Sequence, residues 1–230
     1  MLILALDTSG GARSCALLRD GIVLREDAGD RTHSQAARLP GELAALLERE
    51  HVGLGEIDAF AVGIGPGSFT GMRVGIATMQ GLAMAADRPL FGVSALDALA
   101  RRAGAPESEG RHPSVRIAAW IDAWRGEVYA ALYGPGDEPV PRVAPPDRLL
   151  AELRGGATLF TGCGAAVHQE VIRDSLGSLA LLTDPISPLL AGTMAEMAAE
   201  AFRAGHRPPP DAVRPLYVRR SDAELARDRG

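Results

Sequence analysis

A glycine-rich stretch in the first third of the chain has the residue types that can hold phosphate. It reads GIGPGSFTGMRVG and covers residues 63–75. Successive backbone N–H groups in such a turn bind anions, most often where a helix begins. However, the stretch contains no GxxxxGK[ST] sequence, and no acidic residue follows where a dinucleotide-binding motif requires one. We therefore favour the alternative, a tight strand-to-helix turn in which Ser68 or Thr70 caps the helix.

The histidines and cysteines show no spacing that predicts a metal site or a nucleophile. No two of the five histidines stand at HxxxH or HxxH spacing, and the sequence contains no GxSxG. Cys15 and Cys163 lie far apart and outside any CxxC or Cys/His pattern. This is typical of two buried thiols in a reducing compartment. We expect neither catalytic residues nor metal ligands, and the composition does not favour a metalloprotease.

Composition narrows the class of protein further. The chain has 230 residues, 47% of them hydrophobic and 23% charged, as in ordinary globular proteins. Its net charge of −5 argues against tight, unaided binding to nucleic acid, because such binding needs Lys and Arg to displace counterions. The N-terminus does not have the pattern of a secretory signal peptide. We expect a cytoplasmic protein with no membrane association.

The first hundred residues alternate between strand and helix patterns. An apolar strand ends at Asp7, and a hairpin with its turn at Asp20-Gly21 follows. Thr32 and Gln35 form a capping box before an apolar helical stripe, which Pro40 is expected to kink. A buried strand, a helix over residues 69–86, another strand and a helix stopped at Gly104 complete the pattern. Such alternation predicts an α/β architecture.

The second half of the chain repeats the first in outline. Residues 106–113 are rich in Pro, Gly, Ser and charge and are typical of a linker. Beyond them, an apolar strand, an aspartate, a turn and a second apolar strand place Asp122 where the first half has Asp7. We predict two related α/β halves facing a cleft, residues 1–104 and residues 105–230. Chance similarity between apolar strands is the alternative.

Several motifs together resemble a known family. A strand ending in aspartate, a glycine-containing turn and a duplicated half resemble the actin, sugar-kinase and Hsp70 superfamily. Within it, LALDTS, THSQ…LP, GIGPGSFTGMRVG, IDAWRGEVYAALY and RPLYVRR, in this order over nearly the whole chain, resemble the bacterial TsaB family. One departure is visible: Trp124 stands where the family usually has a basic residue in a DARR-EVY stretch. The chain therefore has one basic residue in this stretch, Arg125, where the family usually has two.

The resemblance implies a function and a set of partners. TsaB proteins belong to the machinery that makes threonylcarbamoyladenosine beside the anticodon of tRNA. The chain would be a non-catalytic subunit that binds and supports its paralogue, a TsaD-like transferase, together with a TsaE-like ATPase. It would be a homodimer when alone, would meet tRNA only through the complex, and would have no cofactor of its own. ATP or ADP could lie at the subunit contact.

The superfamily also suggests a weak candidate for a relic nucleotide site. In ATP-using relatives an aspartate at this strand end positions magnesium or water, so Asp7 with Thr8, Ser9 and Gly10 could do the same. The sequence TGCGAAV, residues 161–167, is similar to the glycine turn beside adenosine. The alternative is that Asp7 only accepts hydrogen bonds from turn amides. We favour that alternative because no catalytic base or phosphate-facing lysine accompanies it.

The helix over residues 69–86 has small or apolar residues on more than one side, which favours contact with a partner helix. A strip of small residues would let two helix backbones approach closely, and it consists of Gly71, Gly75, Thr78, Gly81 and Ala85. With the capped helix before it, the predicted interface consists of His33, Ala36, Gly71, Met72, Gly75, Thr78, Met79 and Leu82.

The C-terminal part carries several arginines and a proline run at residues 208–210. We expect the arginines to lie on a solvated face or tail, with phosphate or partner contacts as the functional alternative. The segment VRPLYVRR is predicted to be a strand or extended.

Two other functions stay open: an independent small-molecule kinase or ATPase that uses Asp7 and the glycine turns, and a homodimer without an enzymatic partner.

Overall fold

The computed structural model describes residues 1–10, 12–29, 35–104, 115–135, 138–153 and 156–219. The first half contains strands β1 Leu2–Asp7, β2 Ser14–Arg19, β3 Ile22–Ala28, β4 Ala59–Gly65 and β5 Leu90–Ser94, and helices α1 Gln35–Arg49, α2 Phe69–Ala86 and α3 Ala95–Ala103. The second half contains strands β6 Arg116–Asp122, β7 Val128–Tyr133, β8 Arg142–Ala144, β9 Thr158–Thr161 and β10 Ala180–Leu182, and helices α4 Pro146–Glu152, α5 Cys163–Val167, α6 Gln169–Leu176 and α7 Ala191–Arg203. Short 3₁₀ turns occur at Leu54–Glu56, Gly177–Leu179 and Pro210–Ala212.

The two halves have the same sheet topology, as the repeat in the sequence predicts. The first sheet has the order β3-β2-β1-β4-β5 and the second the order β8-β7-β6-β9-β10. In each, the first three strands of the half pair antiparallel, and the two later strands add in parallel beside the first. Two sheets with identical order and direction make the duplication a property of the fold, rather than a coincidence of apolar strands.

Strands β1, β2 and β4 of the first sheet are almost fully buried, which explains their nearly continuous apolar sequences, whereas the edge strand β3 is partly exposed. Because side chains alternate along a strand, Leu4 and Leu6 of β1 face one way while Ile3 and Ala5 face the other. The first pair packs in a cluster with residues of α1 and α2. The second pair packs with four alanines of α7, namely Ala191, Ala195, Ala198 and Ala199.

The predicted division at residue 104 separates the two sheets but not the helices that cover them. Helix α7 comes from the second half of the sequence and packs against β1, β2 and β4 of the first sheet. Helix α3 comes from the first half and packs against β6 of the second sheet. The predicted linker at residues 106–113 lies outside the described residues.

Several local predictions are confirmed. The β2–β3 hairpin turns at Asp20 and Gly21, which have φ of 53° and 92° as such a two-residue turn requires. Helix α2 has the predicted bounds, and the Ser68 hydroxyl accepts a hydrogen bond from the Gly71 N–H. Helix α1 continues past Pro40, which lies in its second turn. Thr32 of the predicted capping box lies outside the described residues.

For the C-terminal segment the sequence predicts either a strand or an extended conformation. Residues 213–219 form no strand, although the Leu216 N–H donates a 2.8 Å hydrogen bond to the Ile64 carbonyl at the end of β4. The segment therefore runs irregularly beside the first half before it reaches the second. Within the described ranges, no helix has both the length and the apolarity that a membrane crossing needs.

Candidate functional site

The turn after β1 is organised around the Asp7 carboxylate. Ser9 donates its backbone N–H and its hydroxyl to Asp7 Oδ1, at 2.9 and 2.6 Å. Asp7, Thr8 and Ser9 are each almost completely buried. Burial raises the pKa of the Asp7 carboxyl above its ordinary value, while the hydrogen bonds from Ser9 and Thr8 act in the opposite direction. Asp7 therefore fixes the conformation of the turn, as the structural alternative predicts.

The glycine-rich stretch closes over this turn. A methyl group at Gly63 would overlap the Asp7 carboxylate, one at Gly67 would overlap the Ser9 carbonyl, and one at Gly75 would overlap the Thr8 hydroxyl. Each of these three glycines thus permits a close approach to one residue of the turn.

Two hydrogen bonds complete this closure. The Thr8 hydroxyl donates to the Gly71 carbonyl at 2.8 Å, and the Ser68 N–H donates to the Ser9 carbonyl at 3.0 Å. Gly67 thus packs against the backbone of the turn, whereas Gly63 and Gly75 pack against its side chains. The two hydrogen bonds join the start of α2 to the turn after β1.

Four residues of the predicted partner interface face the inside of the chain. Gly71, Met72, Gly75 and Met79 are buried. Gly75 lies against the Thr8 side chain, and the Gly71 carbonyl accepts from the Thr8 hydroxyl. The sequence could not show these contacts, since Thr8 is far from both glycines along the chain. Contact of this strip with a partner helix stays a prediction.

A different face of α2 is available to a partner. Thr78 and Leu82 of the predicted set are half-buried, and Val74, Gly81 and Ala85 share their side of the helix at helical spacing, with Gly81 and Ala85 exposed. A side chain at Gly81 would meet open space. His33 lies outside the described residues, and the side chain of Ala36 in α1 is not described.

The turn after β6 repeats the Asp7 arrangement in a more open form. The Asp122 Oδ1 accepts a 3.0 Å hydrogen bond from the Trp124 N–H, two residues further on, as Asp7 does from Ser9. Trp124, Arg125 and Gly126 then follow with φ of 55°, 57° and 76°. Trp124 is 54% exposed, so the residue that replaces the expected basic side chain presents an indole to solvent.

The second predicted glycine turn also serves close packing. A methyl group at Gly162 would overlap the Trp120 carbonyl, and one at Gly164 would crowd the backbone of Ile121 and Asp122. These glycines let α5 lie directly on β6.

Cys163, between Gly162 and Gly164, is half-buried, whereas Cys15 is buried and its thiol pKa is raised to about 11, mainly by burial. Both cysteines are free thiols.

A cleft of about 620 Å³ lies where the two halves meet. Its walls are the glycine turn with the start of α2, the β6–β7 turn, and the C-terminal segment. Within it the Phe69 and Tyr217 rings stack with centroids 5.2 Å apart. The Arg73 guanidinium lies 3.7 Å from the centre of the Phe69 ring, and its Nε donates to the Tyr217 hydroxyl at 2.8 Å.

The C-terminal segment ties the two halves together across this cleft. Tyr217 contacts the start of α2, whereas Arg219 donates to the Ala123 carbonyl at 2.9 Å and pairs with Glu127 in the second half. Sequence reasoning placed Arg219 among the C-terminal arginines of a solvated face or tail, and it missed the contact of Tyr217 with the start of α2. Phe69 and Arg73 are four positions apart on one helix, and this spacing could have predicted that their side chains are neighbours. Tyr217 is 144 positions away from Arg73, and no local pattern connects them.

Within the described ranges, no three His, Cys, Asp or Glu side chains come together as metal ligands. Asp7 accepts from the backbone N–H and hydroxyl of Ser9, and Asp122 accepts from the backbone N–H of Trp124.

Comparison with known proteins shows the family. The model of the family described as TsaD, tRNA N6-adenosine threonylcarbamoyltransferase, matches residues 26–227. The chain is 33% identical to tRNA threonylcarbamoyladenosine biosynthesis protein TsaB of Escherichia coli (strain K12), over 97% of this chain and 96% of that protein.

Solved structures agree with the sequence comparison. YeaZ from Pseudomonas aeruginosa matches 94% of this chain and 99% of its own, with a TM-score of 0.72 at 33% identity. The activator of 2-hydroxyisocaproyl-CoA dehydratase from Clostridium difficile, solved with ADPNP, has a TM-score of 0.53 at 11% identity and covers 94% of this chain and 100% of its own, which shows the fold alone. The predicted actin-like α/β fold is confirmed, and the chain belongs to the TsaB family.

Proposed function

We propose that this chain is a non-catalytic subunit in the biosynthesis of tRNA threonylcarbamoyladenosine, and that it binds and supports a TsaD-like transferase. The observation that carries the proposal is the closure of the Asp7 turn. Asp7, Thr8 and Ser9 are buried beneath the start of α2, and their side chains bond within the chain. An actin-like kinase would need this turn to be open to a nucleotide and a metal ion.

The half-exposed face of α2 supports the second part of the proposal. Val74, Thr78, Gly81, Leu82 and Ala85 form a surface of small and apolar side chains beside α1. Small residues at helical spacing let a second helix approach closely. In this proposal the surface binds the paralogue in the working complex and a second copy of the chain when it is alone. A TsaE-like ATPase and a nucleotide at the subunit contact belong to the same proposal.

Substituting Gly81 tests the partner surface without disturbing the core. A side chain at Gly81 meets open space, so Gly81→Arg should leave the chain folded while placing a charge in the proposed contact. Ala151→Arg, on an exposed position of α4 in the second half, adds the same side chain elsewhere and is the matched control. We expect Gly81→Arg to be monomeric by light scattering, and the control to behave like the unmodified chain.

The functional assay reconstitutes modification in vitro. The chain is mixed with the TsaD-like paralogue, the remaining pathway proteins, ATP, threonine, bicarbonate and unmodified tRNA, and the modified nucleoside is measured. We expect no product from the chain alone, product from the full mixture, and loss of product with Gly81→Arg. Modification by the chain alone, or binding of magnesium–ATP by the purified chain in calorimetry, would contradict the non-catalytic role. Unchanged assembly of Gly81→Arg with the paralogue would contradict the proposed surface.

A further inference from the structure

The cleft between the halves has a composition unlike the rest of the protein. It is lined by three arginines and by four of the chain's ten aromatic side chains, and among the described residues that line it there is no Asp or Glu. The chain as a whole carries a net charge of −5. The cleft therefore brings arginine and aromatic side chains together in an acidic protein, and a guanidinium in it that no carboxylate neutralises would attract anions.

Trp124 gives the cleft a free aromatic face. The indole is on the β6–β7 turn, which the carboxylate of Asp122 fixes, and it is 54% exposed. In the part of the chain that the structure describes, no aromatic ring stacks on it. An exposed indole held by an ordered turn offers a flat surface on which another ring can stack.

Arg73 supplies a positive charge that no carboxylate neutralises within the described ranges. Its guanidinium lies on the Phe69 ring, and its Nε bonds to the Tyr217 hydroxyl. The Phe69 ring and the Tyr217 hydroxyl are both uncharged. They orient the guanidinium without neutralising its positive charge. The terminal nitrogens stay available for an anion. Arg219 differs because it pairs with Glu127.

We infer that this cleft binds an unpaired nucleotide of RNA, with the base stacked on Trp124 and a phosphate beside Arg73. Unpaired RNA is recognised by stacking of bases on aromatic side chains and by arginines that contact the backbone. Paired RNA hides its bases within the helix and does not offer the ring. This inference rests on the proposed function, which makes tRNA the RNA that the complex handles.

The test is direct binding to the full-length chain. The probe is a fluorescein-labelled seven-nucleotide single-stranded RNA, followed by fluorescence anisotropy at several salt concentrations. The other ligands are a blunt RNA duplex, AMP, ATP and an acidic peptide. The variants are Trp124→Asn, which keeps a residue tolerant of positive φ, and Arg73→Gln. Arg88→Gln removes the same charge from an exposed position beyond the other end of α2 and is the matched control.

We expect weak, salt-dependent binding of the single-stranded RNA, accompanied by quenching of tryptophan fluorescence. Trp124→Asn should weaken binding about tenfold and abolish the quenching, because the second tryptophan, Trp120, is buried. Arg73→Gln should lower the slope of log affinity against log salt by about 0.7. Arg88→Gln should change neither quantity.

Several results would overturn the inference. They are equal affinity for the duplex, tighter binding of AMP, ATP or the peptide than of the RNA, and unchanged RNA binding in both cleft variants. The reconstituted modification assay separates this inference from the proposed function. If Trp124→Asn and Arg73→Gln bind the RNA as tightly as the unmodified chain does, while the unmodified chain supports modification, the inference fails and the proposed function stands. If the unmodified chain binds RNA through the cleft but does not support modification, only the proposed function fails.

Discussion

The turns after Asp7 and Asp122 start with the same hydrogen bond and then lie in opposite environments. In each, Oδ1 of the aspartate accepts from the backbone N–H two residues further on. The first turn is buried beneath the start of α2, whereas the second exposes Trp124 to solvent.

The difference comes from the segment that leaves the next parallel strand of each half. After β4, Gly67 lets the chain pass over Ser9, and α2 begins directly above the turn. After β9, Gly162 and Gly164 instead bring α5 onto the backbone of β6. Glycines permit close packing in both halves. In the first half they bring α2 over the turn after Asp7, which is buried, and in the second they bring α5 onto β6, which leaves the turn after Asp122 exposed to solvent. Two copies of one topology can therefore differ in function through a single connection.

Adding a methyl group to one glycine of each half should give the largest contrast. At Gly67 the methyl overlaps the Ser9 carbonyl, so Gly67→Ala should lower the free energy of unfolding by about 3 kcal/mol. At Gly126 an added methyl group meets open space. Gly126→Ala should therefore lower the free energy of unfolding by only about 1 kcal/mol, because alanine disfavours the positive φ at this position. Chemical denaturation of both variants measures the two values. Equal losses would show that the first turn is not sealed by close packing.

Removing the side chain of Asp7 or of Asp122, each in its own variant, should give a smaller difference in stability between the two turns. Asp7→Ala leaves the buried N–H and hydroxyl of Ser9 without their acceptor, which costs about 2 kcal/mol. Asp122→Ala releases a backbone N–H that water can reach, and the expected loss is below about 1 kcal/mol. Thermal unfolding of each variant at pH 7 makes the comparison. A larger loss at Asp122 would mean that the open turn is the one under structural constraint.

The smallest effect should appear in the pH dependence of an Asp7→Asn variant. Because burial raises the native pKa of Asp7, the native state binds its proton more tightly than the unfolded chain does. The contribution of Asp7 to stability is therefore greatest below its unfolded pKa and falls as pH rises through its native pKa. Asparagine removes this dependence but can still accept from Ser9. We expect Asp7→Asn to gain stability relative to the unmodified chain between pH 4 and pH 7.

Denaturation curves for both proteins at a series of pH values measure this difference. It should be modest because the hydrogen bonds from Ser9 oppose the effect of burial on the pKa. Asp122→Asn is the control. A relative loss for Asp7→Asn with rising pH would show that the carboxylate is stabilised in its charged form, as expected of a residue prepared to hold a cation.

Local sequence signals predicted much of the fold. Asp20-Gly21 specifies a hairpin turn through backbone preference alone, and Ser68 specifies the start of α2 through one hydroxyl. The duplicated topology follows from apolar strands with aspartates at matching ends. Each signal acts within a few residues, so it can be recognised without knowledge of tertiary structure.

The site was harder to predict because it depends on contacts between distant parts of the chain. Gly75 in a helix is compatible with any close neighbour, and the sequence could not distinguish Thr8 of the same chain from a partner helix. Likewise, Tyr217 reaches Phe69 and Arg73 only because an irregular segment returns to the first half. Residues that define the cleft come from three separate segments with no shared period.

The position of α7 has a consequence for how the chain folds during synthesis. The first sheet has all its strands once Ser94 has been made, but the helix that covers one face begins at Ala191. At ribosomal rates of about 5–20 residues per second, roughly 100 residues take about 5–20 s to follow. For that time the emerging chain exposes a face that includes Ile3, Ala5 and Leu18. Completion of the first half is thus a late event in translation, and truncation before α7 leaves an apolar sheet face open to aggregation.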